Sequence, residues 1–364
     1  MKVGLIGLPN SGKTSLFYAL TRGEGSPLGG GSSALIGVVP VPDPRYTFAI
    51  DLFHPKKRSP ATIEVLDGAA QVGQSASGHG QKFGSDFFVG IRSVDAIVQV
   101  VRGYESVSLP DAPNPLKEAN AISEELLLAD LQVIENRLER IKKQLATRKQ
   151  STVVPEVLEQ EVLLRLKETL DEFKPLRLIE MNEDEKRIIK NFDFLTLKPV
   201  IIVVNIAEKD IADSADLPLL AALKEQAESD GTEVIALCAS VEQEVAGLPE
   251  DEQREYLDAL GIEEPARDRL IRAAYRALGV QSFFTVGEDE VRAWTIPQGA
   301  TALTSAGRIH SDLARGFIRA EVLAFDDLIA AKTWDAAKSA NKLRLEGKEY
   351  IVKDGDILNI RFKV

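Results

Sequence analysis

Apolar residues along this chain fall into three regimes: short strand-like runs, long helical steps, then short runs again. Near the N-terminus Val3, Leu5 and Ile6 stand in an apolar run, and residues 62–66 and 96–101 form two further strand-like segments. Between them, Leu16, Phe17, Ala19 and Leu20 recur at helical spacing with no proline. Strand runs alternating with helical stretches predict an α/β sheet with helices on its faces. Residues 23–33 are too rich in glycine and serine to hold one shape and read as a switch-like loop, and residues 73–80 repeat that composition.

From about Pro115 the period changes. Leu127, Leu131, Ile134, Leu138, Ile141 and Leu145 step by four, three, four, three and four, the spacing of a coiled-coil seam. Residues 151–155 break it, and Leu163, Leu166, Leu170 and Phe173 resume it, which predicts two helices folded back on each other as an antiparallel arm. Val200, Ile201, Ile202, Val203 and Val204 then form a continuous β-branched run, the pattern of a parallel strand buried on both faces. Residues 232–237 predict another strand. The arm, residues 116–197, is therefore expected as an insertion within one nucleotide-binding domain made of residues 1–115 and 198–278. Residues 279–364 form a separate unit, with strands expected over 291–296, 317–322, 343–345 and 357–362 and a tight turn at 353–356 between two of them. Trp294 is expected to fill its core.

Composition narrows the class without changing this picture. No uninterrupted apolar stretch reaches bilayer length, and the first strand begins at once, without a signal-type segment, so the expectation is a cytoplasmic protein with no membrane partner. One cysteine, Cys238, excludes an internal disulfide and a thiolate-rich metal site. The net charge of −12 argues against broad attraction to nucleic acid, and no DNA partner is expected. Two local basic clusters stand against that balance: Arg137, Arg140, Lys142, Lys143, Arg148 and Lys149, and Arg308, His310, Arg315 and Arg319. Each also reads as an ordinary solvated surface.

The chemistry is concentrated at residues 7–14. Gly7-Leu8-Pro9-Asn10-Ser11-Gly12-Lys13-Thr14 is a complete match to the phosphate-binding pattern G-x-x-x-x-G-K-[ST], preceded by a strand and followed by a helix. The glycines let the main chain turn tightly so that N–H groups and the helix start face a phosphate. Lys13 supplies a mobile positive charge to the β- and γ-phosphates, and Thr14 an oxygen for Mg²⁺. A second motif follows the apolar run at 200–204. Where GTP-binding P-loop proteins carry Asn-Lys-x-Asp, this chain has Asn205-Ile206-Ala207-Glu208. Guanine offers two donors to that Asp, and adenine does not; the longer Glu208 shifts the expected preference from GTP toward ATP. The alternative is a strand-end Asn that caps a turn.

With these motifs the chain resembles the YchF or Obg-like ATPases, a branch of the Obg-related translation-factor P-loop proteins. The resemblance spans nearly the whole length. It is carried by residues 7–14, 37–45, 125–131 and 205–208, by Ala293-Trp294-Thr295-Ile296, and by residues 307–312 and 315–322. It implies a Ras-like P-loop domain with an inserted coiled-coil arm and a C-terminal β-grasp (TGS) domain. It also implies slow ATP hydrolysis and association with the ribosome or ribosomal RNA. Carried over by position, Asn10, Ser11, Gly12, Lys13, Thr14 and Ser15 would wrap the phosphates, Asn205 and Ile206 would contact adenine, and Glu208 would complete that motif. Cys238 and Ala239 would back the base, with Glu242 closing the Ser-Ala-x-x-Glu-like segment.

Two hydrolytic features depart from the family pattern. The Asp-x-x-Gly motif aligns with Val65-Leu66-Asp67-Gly68, which puts Val65 in the Asp position and leaves Gly68 as the γ-phosphate sensor, with Glu64 or Asp67 as replacements for the acid. The switch Thr falls near Gly31, with only Ser32 and Ser33 as oxygens for Mg²⁺. The expectation is a slow Mg²⁺-dependent ATPase switch. A nucleotide-binding ribosome scaffold with lost or very weak hydrolysis is the alternative, and a GTPase a weaker one.

Overall fold

The computed structural model describes residues 1–363 apart from 28–34, 68–71, 74–81, 84, 107–108, 110 and 148–153. Fifteen strands are described: β1 (Lys2–Ile6), β2 (Ser26–Pro27), β3 (Leu35–Pro40), β4 (Lys57–Ser59), β5 (Thr62–Asp67), β6 (Val72–Gly73), β7 (Lys82–Phe83), β8 (Ala96–Gly103), β9 (Val200–Ile206), β10 (Glu233–Leu237), β11 (Val280–Thr285), β12 (Glu290–Pro297), β13 (Phe317–Leu323), β14 (Arg344–Glu346) and β15 (Ile357–Phe362). The chain divides into two compact units, Met1–Val38 with Glu64–Leu270, and Val39–Ile63 with Ile271–Val364.

The first unit is built on a seven-stranded sheet of order β10-β9-β8-β1-β5-β3-β2. β1 pairs in parallel with β5 and β8, and β8 and β10 pair in parallel with β9. Every residue of β8 and β9 is buried, as an apolar run between two helical layers requires. Although nearly a hundred residues separate β8 from β9 in sequence, they lie side by side, so the intervening helices form an insertion within one sheet.

The helices used below are α1 (Lys13–Thr21), α2 (Pro44–Phe53), α3 (Ser85–Arg92), α4 (Pro115–Thr147), α5 (Val154–Asp171), α6 (Glu183–Ile189), α7 (Ala221–Ser229), α8 (Ala239–Gly247), α9 (Glu250–Ala259), α10 (Ala266–Ala277) and α11 (Ala302–Ile309). α4 and α5 bury Leu127, Ile134, Ile141, Leu163, Leu166 and Leu170 in a common seam. Arg137 clamps Glu159 across it with two hydrogen bonds of 2.7 Å. Phe173 does not join that seam, although its spacing predicts that it does. α5 ends at Asp171, and Phe173 takes a left-handed φ of 58° and is 72% exposed. Residues 148–153, which include Arg148, Lys149 and the first part of the seam break at 151–155, lie outside the described residues.

The second unit carries a mixed sheet of order β14-β13-β15-β11-β12-β4. Phe283, Ile296, Phe317, Val322 and Leu358 pack from it onto Ala302 and Ala306 of α11. β4 pairs with β12, so residues 39–63, which sequence position assigns to residues 1–115, contribute to this unit. The turn at 353–356 forms, but β14 and β15 do not pair with each other: each pairs with opposite edges of β13. Trp294 is half-buried. Its indole Nε1 donates to Thr285 Oγ1 at 3.0 Å, and the Arg292 guanidinium lies 3.8 Å over the ring.

Candidate nucleotide-binding site

β1 delivers the chain to the C-terminal edge of the parallel sheet, where open α/β sheets bind ligands. Residues 7–12 form the turn and α1 begins at Lys13. Sterics explain the glycines. A Cβ on Gly7 would stand 2.3 Å from the Val100 carbonyl oxygen. Gly12 has φ of 91°, and a Cβ there would stand 2.1 Å from Asn205 Nδ2. Asn10 also takes positive φ, 61°, and its carbonyl accepts a 2.7 Å hydrogen bond from the Tyr104 hydroxyl. Tyr104 is a site residue that no sequence motif marks, because it reaches the loop from just beyond β8.

Lys13 Nζ bends back over the loop and donates to the Gly7 and Leu8 carbonyls, both at 2.9 Å. Burial lowers its pKa, opposed by the nearby Asp67 carboxylate. Thr14 Oγ1 donates to Asp67 Oδ2 at 3.1 Å. Ser11 is fully buried with its hydroxyl unpartnered among the described residues, and Ser15 is half-buried on the first turn of α1.

The acid beside Thr14 is thus Asp67, not the residue at position 65. Val65 is buried in the core, and Glu64 faces Lys2 at 3.8 Å. β5 runs through to Asp67, two residues past the alignment position, so the strand's end carries the acid into the site. The motif then reads Asp67-Gly68-Ala69-Ala70, with alanine in the place of its glycine. Gly68, Ser32 and Ser33 lie outside the described residues. Asp67 is 3% exposed and its Oδ1 has no partner among the described residues. Burial raises its pKa, opposed by the Thr14 hydrogen bond and by Lys13. A hydroxyl oxygen beside a buried carboxylate with one oxygen unused is a donor set that suits a hard, oxygen-preferring cation such as Mg²⁺.

Asn205, at the end of β9, ties two elements together. Its Nδ2 donates to the Ser11 carbonyl at 3.0 Å, and its Oδ1 accepts from the Ala239 N–H at 2.9 Å. Ile206 is 2% exposed within the core. Glu208 begins an exposed turn, Glu208–Asp210. Cys238 is buried just before α8, with Sγ 3.2 Å from Ser240 Oγ. Glu242, on the first turn of α8, accepts from the Ala266 and Arg267 N–H groups at 2.8 and 3.1 Å and so caps α10. Residues 205 and 239 therefore converge on the loop, Cys238 is buried beside Ser240, and Glu242 serves the helix behind them.

An amide-lined turn between β1 and α1, with Lys13 and Thr14 on it and an acid at the end of the adjacent strand, places this chain among the P-loop nucleotide-binding proteins. The relatives say which. A family model described as YchF-GTPase_C, protein of unknown function (DUF933), matches residues 280–363. The chain is 40% identical over 370 residues to the Bacillus subtilis protein named ribosome-binding ATPase YchF, covering 100% of both chains. It is 39% identical to the Escherichia coli O157:H7 protein of the same name, covering 100% of this chain and 99% of that one. The solved structure of the Schizosaccharomyces pombe YchF GTPase matches with a TM-score of 0.86 at 31% identity, over 99% of this chain and 97% of the other. The chain belongs to the YchF family.

Proposed function

We propose that this protein is a slow, Mg²⁺-dependent ATPase that works as a nucleotide-controlled switch on the ribosome. The observation that carries the reading is the junction of Lys13, Thr14 and Asp67 on the loop between β1 and α1. Triphosphate oxygens would replace the Gly7 and Leu8 carbonyls as partners of Lys13. Thr14 and Asp67 would hold Mg²⁺, which neutralises charge on the β- and γ-phosphates. Loop N–H groups and the start of α1 stabilise charge that develops during transfer. Glu208 in place of Asp, with Ile206 in place of the Lys stem, supports adenine over guanine. The names of the relatives, as ribosome-binding ATPases, support both the activity and the partner.

A second reading is favoured by one residue. Ala70 stands where Asp-x-x-Gly has glycine, and a side chain there hinders close approach of that amide to a γ-phosphate. Loss of one such donor costs about 10²–10³ in rate, enough to leave a nucleotide-binding scaffold with almost no turnover. Calorimetric binding of ATP, ADP and GTP with and without Mg²⁺, followed by phosphate release against a Lys13→Ala control, separates the readings. ATP binding with release above the control supports the ATPase. Binding with release equal to the control supports the scaffold. Tighter binding of GTP overturns the base assignment.

A further inference from the structure

A cavity of about 210 Å³ lies at the root of the helical arm, apart from the phosphate loop. Asn120, Ser123, Glu124 and Leu127 face it from α4, at the spacings that share one side of a helix. Gln99 of β8 also belongs to the lining, next to Ser123. Its side chain is 1% exposed, its Nε2 reaches Ser123 Oγ at 3.3 Å, and its Oε1 has no partner among the described residues. Whichever way that amide is turned, only one of its ends meets Ser123, so a buried polar atom is left without a partner among the described residues, behind the cavity wall. Such atoms weaken a fold unless something pairs with them.

Arg177 lines the same cavity. Its guanidinium has one long hydrogen bond, 3.4 Å to Thr232 Oγ1, and burial lowers its pKa against the opposing charge of Asp230. No carboxylate stands within ion-pair distance of it among the described residues. Asp230 and Glu124 add two acidic groups to the wall, and Leu126, Leu195 and Val200 an apolar side. At the mouth is Phe173, the exposed residue held at positive φ, where glycine is the usual occupant. A lone anion would meet two carboxylates here, and a lone cation would meet the arginine.

We infer that the cavity between α4, β8 and the 173–177 segment binds a small zwitterion, a free α-amino acid with an aliphatic side chain. Its carboxylate pairs with Arg177. Its ammonium faces Glu124 and Asp230, and its side chain lies against the leucines and Phe173. The volume matches about seven waters, which suits a ligand of the size of valine or leucine. Bound there, the ligand ties the root of the arm to the sheet. Gln99 pairs in register with Ile6, one residue before the phosphate loop, so the two sites share a strand pair.

The test uses the full chain and three probes: L-leucine, 4-methylpentanoate, which lacks the amine, and 3-methylbutylamine, which lacks the carboxylate. Calorimetry is expected to show L-leucine binding at least tenfold tighter than either analogue. Arg177→Met, and the double change Glu124→Gln with Asp230→Asn, each weaken it at least tenfold while ATP binding stays unchanged, which keeps this result separate from the outcome at the phosphate loop. No binding of L-leucine, L-valine or L-methionine at millimolar concentration overturns the proposal. So does equal binding of 4-methylpentanoate, or binding that survives these substitutions.

Discussion

At Asp67, burial and function pull in opposite directions. The buried carboxyl titrates above its ordinary value, so the folded chain favours the protonated form. Stability from this group is therefore present at low pH and lost as pH rises through the raised folded value. A divalent cation needs the ionised form, so Mg²⁺-dependent ATP binding should weaken on acidification while ordinary carboxylates are still charged. Calorimetry over a series of falling pH values should show a steeper fall for the natural protein than for Asp67→Asn; equal slopes would place the proton elsewhere. Gly12 sets a second residue-scale expectation. With φ of 91° and Asn205 Nδ2 in the path of any Cβ, Gly12→Ala meets both backbone strain and a clash. A loss of about 1–3 kcal/mol from strain alone is expected in melting experiments, together with weaker nucleotide binding. Because Asn205 is the group struck, Gly12→Ala combined with Asn205→Ala should cost less than the two changes summed.

Among the elements, the arm offers the simplest separation of stability from chemistry. Ile134 is fully buried between α4 and α5, far along the sequence from the loop and from β9. Ile134→Ala should cost about 2–5 kcal/mol by removing packed methyl groups and leaving a cavity. Chemical denaturation reads that loss, and ATP affinity at low temperature should not change. A fall in affinity would show that the seam is coupled to the site. The hydrophobic spacing marks this seam correctly up to Leu170 and fails at Phe173, because a period says nothing about where a helix ends. That end is set by left-handed closure: the Lys174 N–H bonds to the Thr169 carbonyl and the Phe173 N–H to the Leu170 carbonyl. β11 carries no alternating pattern strong enough to mark it, yet it pairs with both β12 and β15, and its place in the sheet comes from those partners.

For the whole molecule, the partner question turns on charge. The chain is strongly acidic, so the proposed attachment to a ribosome would have to run through local basic surface. Part of each basic cluster is occupied: Arg137 is held by Glu159, and Arg315 by Asp312 at 2.7 Å. Arg140, Lys142 and Arg308 remain on exposed faces. Co-sedimentation with ribosomes should decline steadily as salt rises, and the double change Arg140→Glu with Lys142→Glu, or Arg308→Glu, should flatten that dependence. Absence of pelleting at every salt concentration would remove the ribosome from the proposal.

Local signals in the chain determine the phosphate loop, the arm and the two-sided strands, because each is a short-range pattern: a spacing of glycines, a helical period, a β-branched run. They also determine that an asparagine stands at the end of the run that forms β9. Contacts between distant segments decide the rest. Which acid serves Thr14 depends on how far β5 runs before it ends, and Asp67 rather than position 65 lands there. That Asn205 braces the loop onto α8 follows from β9 lying beside β8 across an insertion, and Tyr104 reaches Asn10 because β8 pairs with β1. The transfer of residues 39–63 to the second sheet is a pairing of β4 with β12, more than two hundred residues apart. Local sequence fixes the backbone's preferences over a few residues; strand neighbours and buried partners are chosen only when the whole chain has collapsed around a common core.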